Sequence, residues 1–221
     1  MIVYVVPHNM DDRISTRAVR ILEDGGLIAL PTDTSWVIVC SFKSKEGIKK
    51  LRKISGDREE RLFTLLCSDI SQFGEFCSMD NSRFRLIKRL APGPYVFIMK
   101  TLLGTEKALE IKRKEVGVRI PGHPVPVAII DALGAPLYSV TAKKSMIEGR
   151  ESEDDTEVEE GRLPPIPEDE LFEGGWELEE LPGVDLILDT GEDRPRLFST
   201  ILDLTEDEVR LIRQGAGPWP V

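Results

Sequence analysis

Short apolar runs alternate with stretches in which apolar residues recur every third or fourth position, and the change of period marks the elements. Ile2–Val6, Leu27–Leu30, Trp36–Cys40, Leu62–Cys67, Tyr95–Lys100, Val116–Ile120 and Leu137–Thr141 are runs of strand length. Between them the period lengthens. Ser15 is placed to cap a helix running to Glu23, with Ala18, Ile21 and Leu22 on one face and Gly25-Gly26 closing it. Ser44 opens a second helix. Its Ile48, Leu51 and Ile54 form one stripe, and Lys45, Lys49, Lys50, Arg52 and Lys53 occupy the other faces. Phe84, Ile87, Leu90 and Ala91 mark a third helix that Pro92-Gly93-Pro94 stops, and Pro124–Leu133 a fourth closed by Gly134.

Three further strands, Val184–Leu188, Thr200–Leu204 and Val209–Arg213, then follow in close succession. Strands that interleave with helices early and crowd together late predict one α/β (α+β) domain with a twisted mixed sheet. Residues 146–182 break the pattern. Glu151–Glu160 is mostly acidic, and Leu163-Pro164-Pro165-Ile166-Pro167 follows it. Such a stretch has too little apolar surface to order itself, which predicts a mobile acidic insert in the single domain. Phe172 and Trp176, costly to leave in water, are the candidate anchors of a lid or partner-binding segment within it.

At 221 residues, 41% apolar and 31% charged, the chain has the composition of a soluble globular protein with a substantial core. Its apolar runs are too short to span a bilayer, and the start MIVYVVPHNM lacks a basic flank, so a cytoplasmic location is expected. Cys40, Cys67 and Cys77 form no CxxC pair, and with only His8 and His123 a zinc site is not expected. The net charge of −10 is unevenly spread. Fifteen acidic residues against two arginines between Glu148 and Glu180 give a local charge of −13, leaving +3 elsewhere. The core is therefore mildly basic, and binding of nucleotide or nucleic acid is not excluded.

The stretch Leu27-Ile28-Ala29-Leu30-Pro31-Thr32-Asp33-Thr34-Ser35-Trp36-Val37-Ile38-Val39-Cys40 sets two strands around a hydroxyl-rich turn. Thr32 and Thr34 sit where a sheet hands over to a loop. They are placed either to bond local backbone or to hold an anionic or zwitterionic ligand. Arg119, in Val-Arg-Ile-Pro, is charged within an apolar run and needs a partner if buried. Ser139 and Thr141 share one face of their strand.

Taken in order, LIALPTDTSWVIVC, the basic helix, LAPGPYVFIMK, VGVRIPGHPV, GAPLYSVTAKK, VDLILDTG, STILDL and LIRQGAG resemble the YrdC/YciO family across residues 1–145 and 183–221. The resemblance implies a single domain with a large open cavity over a twisted mixed sheet. It implies threonylcarbamoyl-AMP synthesis from ATP, threonine and bicarbonate, a nucleotidyltransferase reaction linked to tRNA modification. It also implies, as an alternative, non-catalytic binding of double-stranded RNA or tRNA. Thr32 and Thr34 would hold the amino-acid end, and Arg119, Ser139, Thr141, Lys143, Ser199 and Arg213 the nucleotide, with Mg²⁺ on the phosphates. Ser199 and Arg213 read equally well as structural caps.

The match is nearer the YciO branch. Where the synthases carry Lys-x-Arg this chain has Ser55 and Asp57, where they carry Ser-x-Asn it has Thr141 and Lys143, and Trp36 replaces a Tyr. Losing two cations near a transferring phosphoryl group weakens charge stabilisation, so only weak activity is expected. Arg58, Arg61 and Lys143 are the candidate compensating cations. A third possibility is a regulatory protein that binds partners through its acidic insert.

Overall fold

A computed structural model describes residues 1–56, 63–102, 114–147 and 167–219. Ten strands form one mixed sheet: β1 (Ile2–Tyr4), β2 (Ile28–Pro31), β3 (Trp36–Ser41), β4 (Thr64–Leu66), β5 (Tyr95–Lys100), β6 (Glu115–Arg119), β7 (Leu137–Thr141), β8 (Leu186–Asp189), β9 (Thr200–Asp203) and β10 (Arg210–Arg213). Their spatial order is β1-β8-β2-β3-β7-β4-β6-β5-β9-β10. The pairs β1/β8, β2/β8, β4/β6 and β5/β9 are parallel and the others antiparallel. The mixed sheet expected from the late crowding of strands is therefore present.

Alternation along each strand divides the core between the two faces. One face carries Ala29, Trp36, Ile38, Leu65, Phe97, Val118 and Tyr138. It is packed by α2 (Lys45–Ile54) through Ile48 and Leu51, by α3 (Ile70–Gly74) through Phe73, and by α4 (Asn81–Leu90) through Ile87. The other face carries Ile28, Leu30, Val37, Val39, Leu66 and Leu137. Ala18 and Leu22 of α1 (Asp12–Glu23) pack on it, as do Val125, Ile129 and Ile130 of α5 (Pro124–Leu133). These two helices lie against each other over β2.

Local chemistry explains the helix ends. Ser44 caps α2, its hydroxyl accepting from the Gly47 N–H at 3.1 Å. Gly134 ends α5 with φ +65°, a left-handed conformation that a Cβ disfavours. The start of α1 differs from expectation. Asp11, not Ser15, is the cap, so the helix gains a turn and Ser15 lies inside it. The short α3, capped by Asp69, has too few residues to show a period.

The expected insert divides. Residues 148–166, most of its acidic run, lie outside the described residues. Residues 167–182 pack as two 3-10 turns, Glu168–Glu170 and Gly175–Glu180, with Leu171, Phe172 and Leu178 buried. Phe172 is an anchor as its size demands, whereas Trp176 is 70% exposed. Among the described residues no helix is long and apolar enough to cross a membrane.

Candidate functional site

Among the described residues α1 and α5 cover the sheet around β8, β2 and β3 and reach Leu66 and Leu137; farther along the same face β7, β4, β6, β5 and β9 are more open. Thr64, Ile98, Thr141 and Ile201 point to that face from strands with neighbours on both sides, yet all four are only half-buried. An interior strand keeps such exposure only where no layer lies over it. The floor of this hollow is polar at its centre. Ser139 stands between Val39 of β3 and Thr64 of β4, and Thr141 lies beside Val37. Gly117 pairs with Thr64 and keeps β6 low, since a Cβ there would meet Val96 at 3.3 Å.

The sequence-predicted residues divide by what the fold lets them do. Ser139 is buried and donates to the Thr64 carbonyl at 3.0 Å; Thr141 keeps part of its surface exposed. The Ala142 N–H bonds the Trp36 carbonyl, so the extended run continues past β7 and brings Lys143 into the register of Ser139 and Thr141. Lys143 is buried and bridges Leu171, which fastens the end of the insert to the rim of the sheet. Arg119 closes β6 on this same face, between the buried Leu66 and the following Pro121 loop. Arg58 and Arg61 lie outside the described residues, as does Asp57; Ser55 ends α2, its hydroxyl donating to the Arg52 carbonyl at 3.0 Å.

Thr32 and Thr34 are more committed than expected. Both are fully buried. The Thr32 hydroxyl donates to the Ser35 carbonyl at 2.6 Å and accepts from the Thr34 and Ser35 N–H groups at 3.1 and 3.2 Å. It thus closes the β2–β3 turn in the way short hydroxyl side chains favour. Ser199 and Arg213 also meet each other. Arg213 donates to the Ser199 carbonyl through Nε at 3.3 Å and Nη2 at 3.1 Å, and its guanidinium lies 4.9 Å from the Phe198 ring centre. This is the geometry of a cap that ties β10 to the start of β9.

The residue that the sequence reading missed is Asp33. The turn that consumes Thr32 projects Asp33 outward, where its Oδ1 accepts from Arg119 Nη2 at 2.6 Å and from the Gly122 N–H at 3.0 Å. The signal lies in the PTDT stretch, an acidic residue between two turn-forming hydroxyls. Arg119 is 4% exposed, and among the described residues its Nε has no hydrogen-bond partner. Burial pulls the guanidinium below its ordinary pKa, while the neighbouring Asp33 charge opposes that shift. Beside this pair, His123 caps α5 by accepting from the Val125 N–H at Nδ1. Burial, with Arg194 nearby, lowers its pKa to about 4, so the imidazole is neutral and free to accept.

A second arrangement supports the rim from the opposite face. Trp36 Nε1 donates to the Glu173 carbonyl at 3.2 Å, the Arg194 N–H reaches the same oxygen at 2.8 Å, and the Leu197 N–H bonds the Thr34 carbonyl at 3.4 Å. Trp36 therefore belongs to the covered face and braces the turn from behind. Also on that face, a hollow of about 670 Å³ lies between α2 and Pro182–Asp185, lined by Leu27, Met146, Lys50 and Lys53. It contains no buried polar side chain, which leaves it without the convergent donors of a specific ligand site.

Comparison with known proteins places this geometry in a family. The Sua5/YciO/YrdC family model, described as "Telomere recombination", matches residues 20–161. YciO of Escherichia coli (strain K12) is 33% identical over 218 residues, covering 97% of this chain and 95% of its own. The threonylcarbamoyl-AMP synthase of Mus musculus is 26% identical over 207 residues, covering 90% of this chain and 66% of its own. The crystal structure of E. coli YciO superposes with a TM-score of 0.77 over 99% of this chain and 97% of that one. That of P. abyssi Sua5 complexed with L-threonine gives a TM-score of 0.77 at 21% identity, over 97% of this chain and 57% of that one. At that identity the likeness establishes the fold. The full-length match to YciO and the family model together make this chain a member of the Sua5/YciO/YrdC family.

Proposed function

We propose that the open face binds an adenine nucleotide, with threonine and bicarbonate as co-substrates of a slow threonylcarbamoyl-AMP synthesis that serves tRNA modification. The observation that carries the reading is the polar floor formed by the partly exposed Thr64 and Thr141 over the buried Ser139, on interior strands. Family membership and the threonine complex of the related Sua5 supply its chemistry.

In this reading the amine of threonine attacks carbon dioxide derived from bicarbonate. The resulting carbamate oxygen then attacks the α-phosphorus of ATP and expels pyrophosphate. Negative charge gathers between the carbamate and the phosphates, so catalysis consists of holding both in line and meeting that charge with cations. Ser55 and Thr141 stand where the synthases carry Lys and Ser, and Lys143 stands where they carry Asn. Lys143, two residues beyond Thr141 in the same register, is the cation this reading sets against the phosphates, which it would meet as a point charge. Mg²⁺, carried by the nucleotide, would add positive charge at the phosphates. Among the described residues no three His, Cys, Asp or Glu side chains are grouped to hold an ion, so no step is assigned to one.

The test is pyrophosphate release with ATP, threonine and bicarbonate, run beside Lys143→Ala. The wild type should form product slowly, and the variant should lose about 10²-fold or more of that rate, the scale of one lost charge-stabilising donor. ATP binding without product would mean a pocket turned to other chemistry. Neither binding nor product would overturn the reading.

A further inference from the structure

The two edges of the sheet are finished differently. At one edge β10 carries the charged Arg210 and Arg213 and a register shift between Leu211 and Arg213, devices that keep an edge from pairing with another chain. At the other edge stands β1, in the uncharged run Met1-Ile2-Val3-Tyr4-Val5-Val6. Met1 and Val5 turn their backbone toward β8: the Ile187 N–H bonds the Met1 carbonyl at 3.0 Å, and the Val5 N–H bonds the Asp189 carbonyl at 2.7 Å. Alternation along a parallel ladder then turns the N–H and C=O groups of Ile2 and Tyr4 outward, where among the described residues they meet no partner. The ladder closes at Val6, whose carbonyl accepts from the Asn9 N–H, and at Pro7, which has no N–H. Beside these free groups Tyr4 is 68% and Val6 63% exposed. Gly175 lies against the Asp189 side chain, the register partner of Tyr4, so the exposed Trp176 stands on a turn that packs at the same edge.

We propose that β1 is a docking edge for a second copy of this chain, the two β1 strands pairing antiparallel about a two-fold axis. The outward backbone groups of a strand are satisfied together only by another extended strand. That strand must be uncharged, because a charge pressed against Tyr4 and Val6 would be left unpaired, and β1 itself has this character. With Ile2 of one copy opposite Tyr4 of the other, the two residues exchange both N–H···O=C bonds, and the symmetry repeats the exchange. Val3 then meets its own copy on the axis, and each Tyr4 ring lies beside the other copy's Ile2 on the face that carries Trp176. Charge fixes the direction. At the Met1 end Arg17 of α1 reaches Met1 Sδ at 3.4 Å. At the Tyr4 end Gly191 lies beside the Tyr4 ring and is followed by the exposed Glu192 and Asp193. Antiparallel pairing sets each basic end against the other copy's acidic end, whereas parallel pairing would set like against like.

Sedimentation of the full chain, with no tag at its amino end and over a range of concentrations, tests this. The seam is small, so the monomer–dimer equilibrium should have a dissociation constant of about 10 to 100 μM. Tyr4→Lys, at a mostly exposed position, should raise that constant about tenfold or more by stranding a cation in the seam. Phe84→Lys, at a partly exposed apolar site on α4, should leave it unchanged. Amide exchange supplies a readout that needs no variant. The Tyr4 N–H should exchange more slowly as the concentration rises through the dissociation constant, while that of Val5, already bonded to Asp189, should change little. A chain that stays monomeric up to about 0.5 mM overturns the proposal. So does a dimer that Tyr4→Lys leaves intact, one that Phe84→Lys weakens equally, or one that leaves Tyr4 exchange unaltered. Should Tyr4→Lys fail to fold, the exchange of the wild-type Tyr4 N–H decides alone.

Discussion

Asp33 holds a charge that would otherwise be stranded. Arg119 is buried at the end of β6, and its guanidinium donates to the Asp33 carboxylate. Asp33→Ala should lower the unfolding free energy by about 3 kcal/mol, the usual cost of leaving one member of a buried pair uncompensated; urea denaturation measures it. His123 gives a pH dependence of definite sign. Its pKa falls from an ordinary 6.5 to about 4 on folding, mainly through burial. Stability from this group is complete above about pH 6.5 and declines as the pH falls toward 4, because the unfolded chain takes up the proton first. His123→Asn, an uncharged capping residue, should flatten that part of the stability profile. Burial also pushes the Cys40 and Cys77 thiols up to about 12, and Cys67 well above its ordinary value. A thiol-specific reagent should therefore modify none of the three in the native protein at pH 8 and all three in denaturant. At this scale the sequence was half legible. That Arg119 needed a partner followed from its apolar surroundings, but which residue met it depended on how the turn spent the Thr32 hydroxyl.

Elements were more legible where period and punctuation agreed. Tyr95–Lys100, Leu137–Thr141 and Pro124–Leu133 stand where the pattern places them, because each is bounded by Pro or Gly and has an unambiguous apolar face. The cap of α2 was equally clear, and Ser44→Ala should cost about 1 kcal/mol in thermal or urea unfolding. For α1 the pattern placed the cap at Ser15, a turn too late. The fold uses Asp11, whose carboxylate accepts from the Arg13 N–H at 2.8 Å. α3 left no trace, since five residues span little more than one turn. Residues 167–182 were misjudged for a different reason. Their acidic residues dominate the composition, but Leu171, Phe172 and Leu178 at irregular spacing supply enough apolar surface to seat the segment. Trp36→Phe removes the hydrogen bond to Glu173 while keeping most of the ring. It should cost about 1 kcal/mol and loosen the segment, visible as faster amide exchange at residues 171–175.

For the molecule as a whole, the uneven covering of one face creates the place for a ligand. α1 and α5 shelter β2 and β3, and beyond them a hydroxyl-lined floor is left partly in water. The single-domain, mixed-sheet architecture was readable from the order of elements. The hollow was not, because exposure of an interior strand depends on which strands become neighbours, and that is a property of the topology. The same topology fixes when the protein can become whole. Among the described residues β1 is an edge strand that pairs with β8, Ile2 opposite Ile187. During synthesis β1 leaves the ribosome well before β8 exists, and until then its backbone donors and acceptors on that edge stay in water. Meanwhile β2, β3 and β7 can already assemble. β1 is thus among the last parts to join the native sheet, and a chain truncated before residue 186 would carry it unpaired.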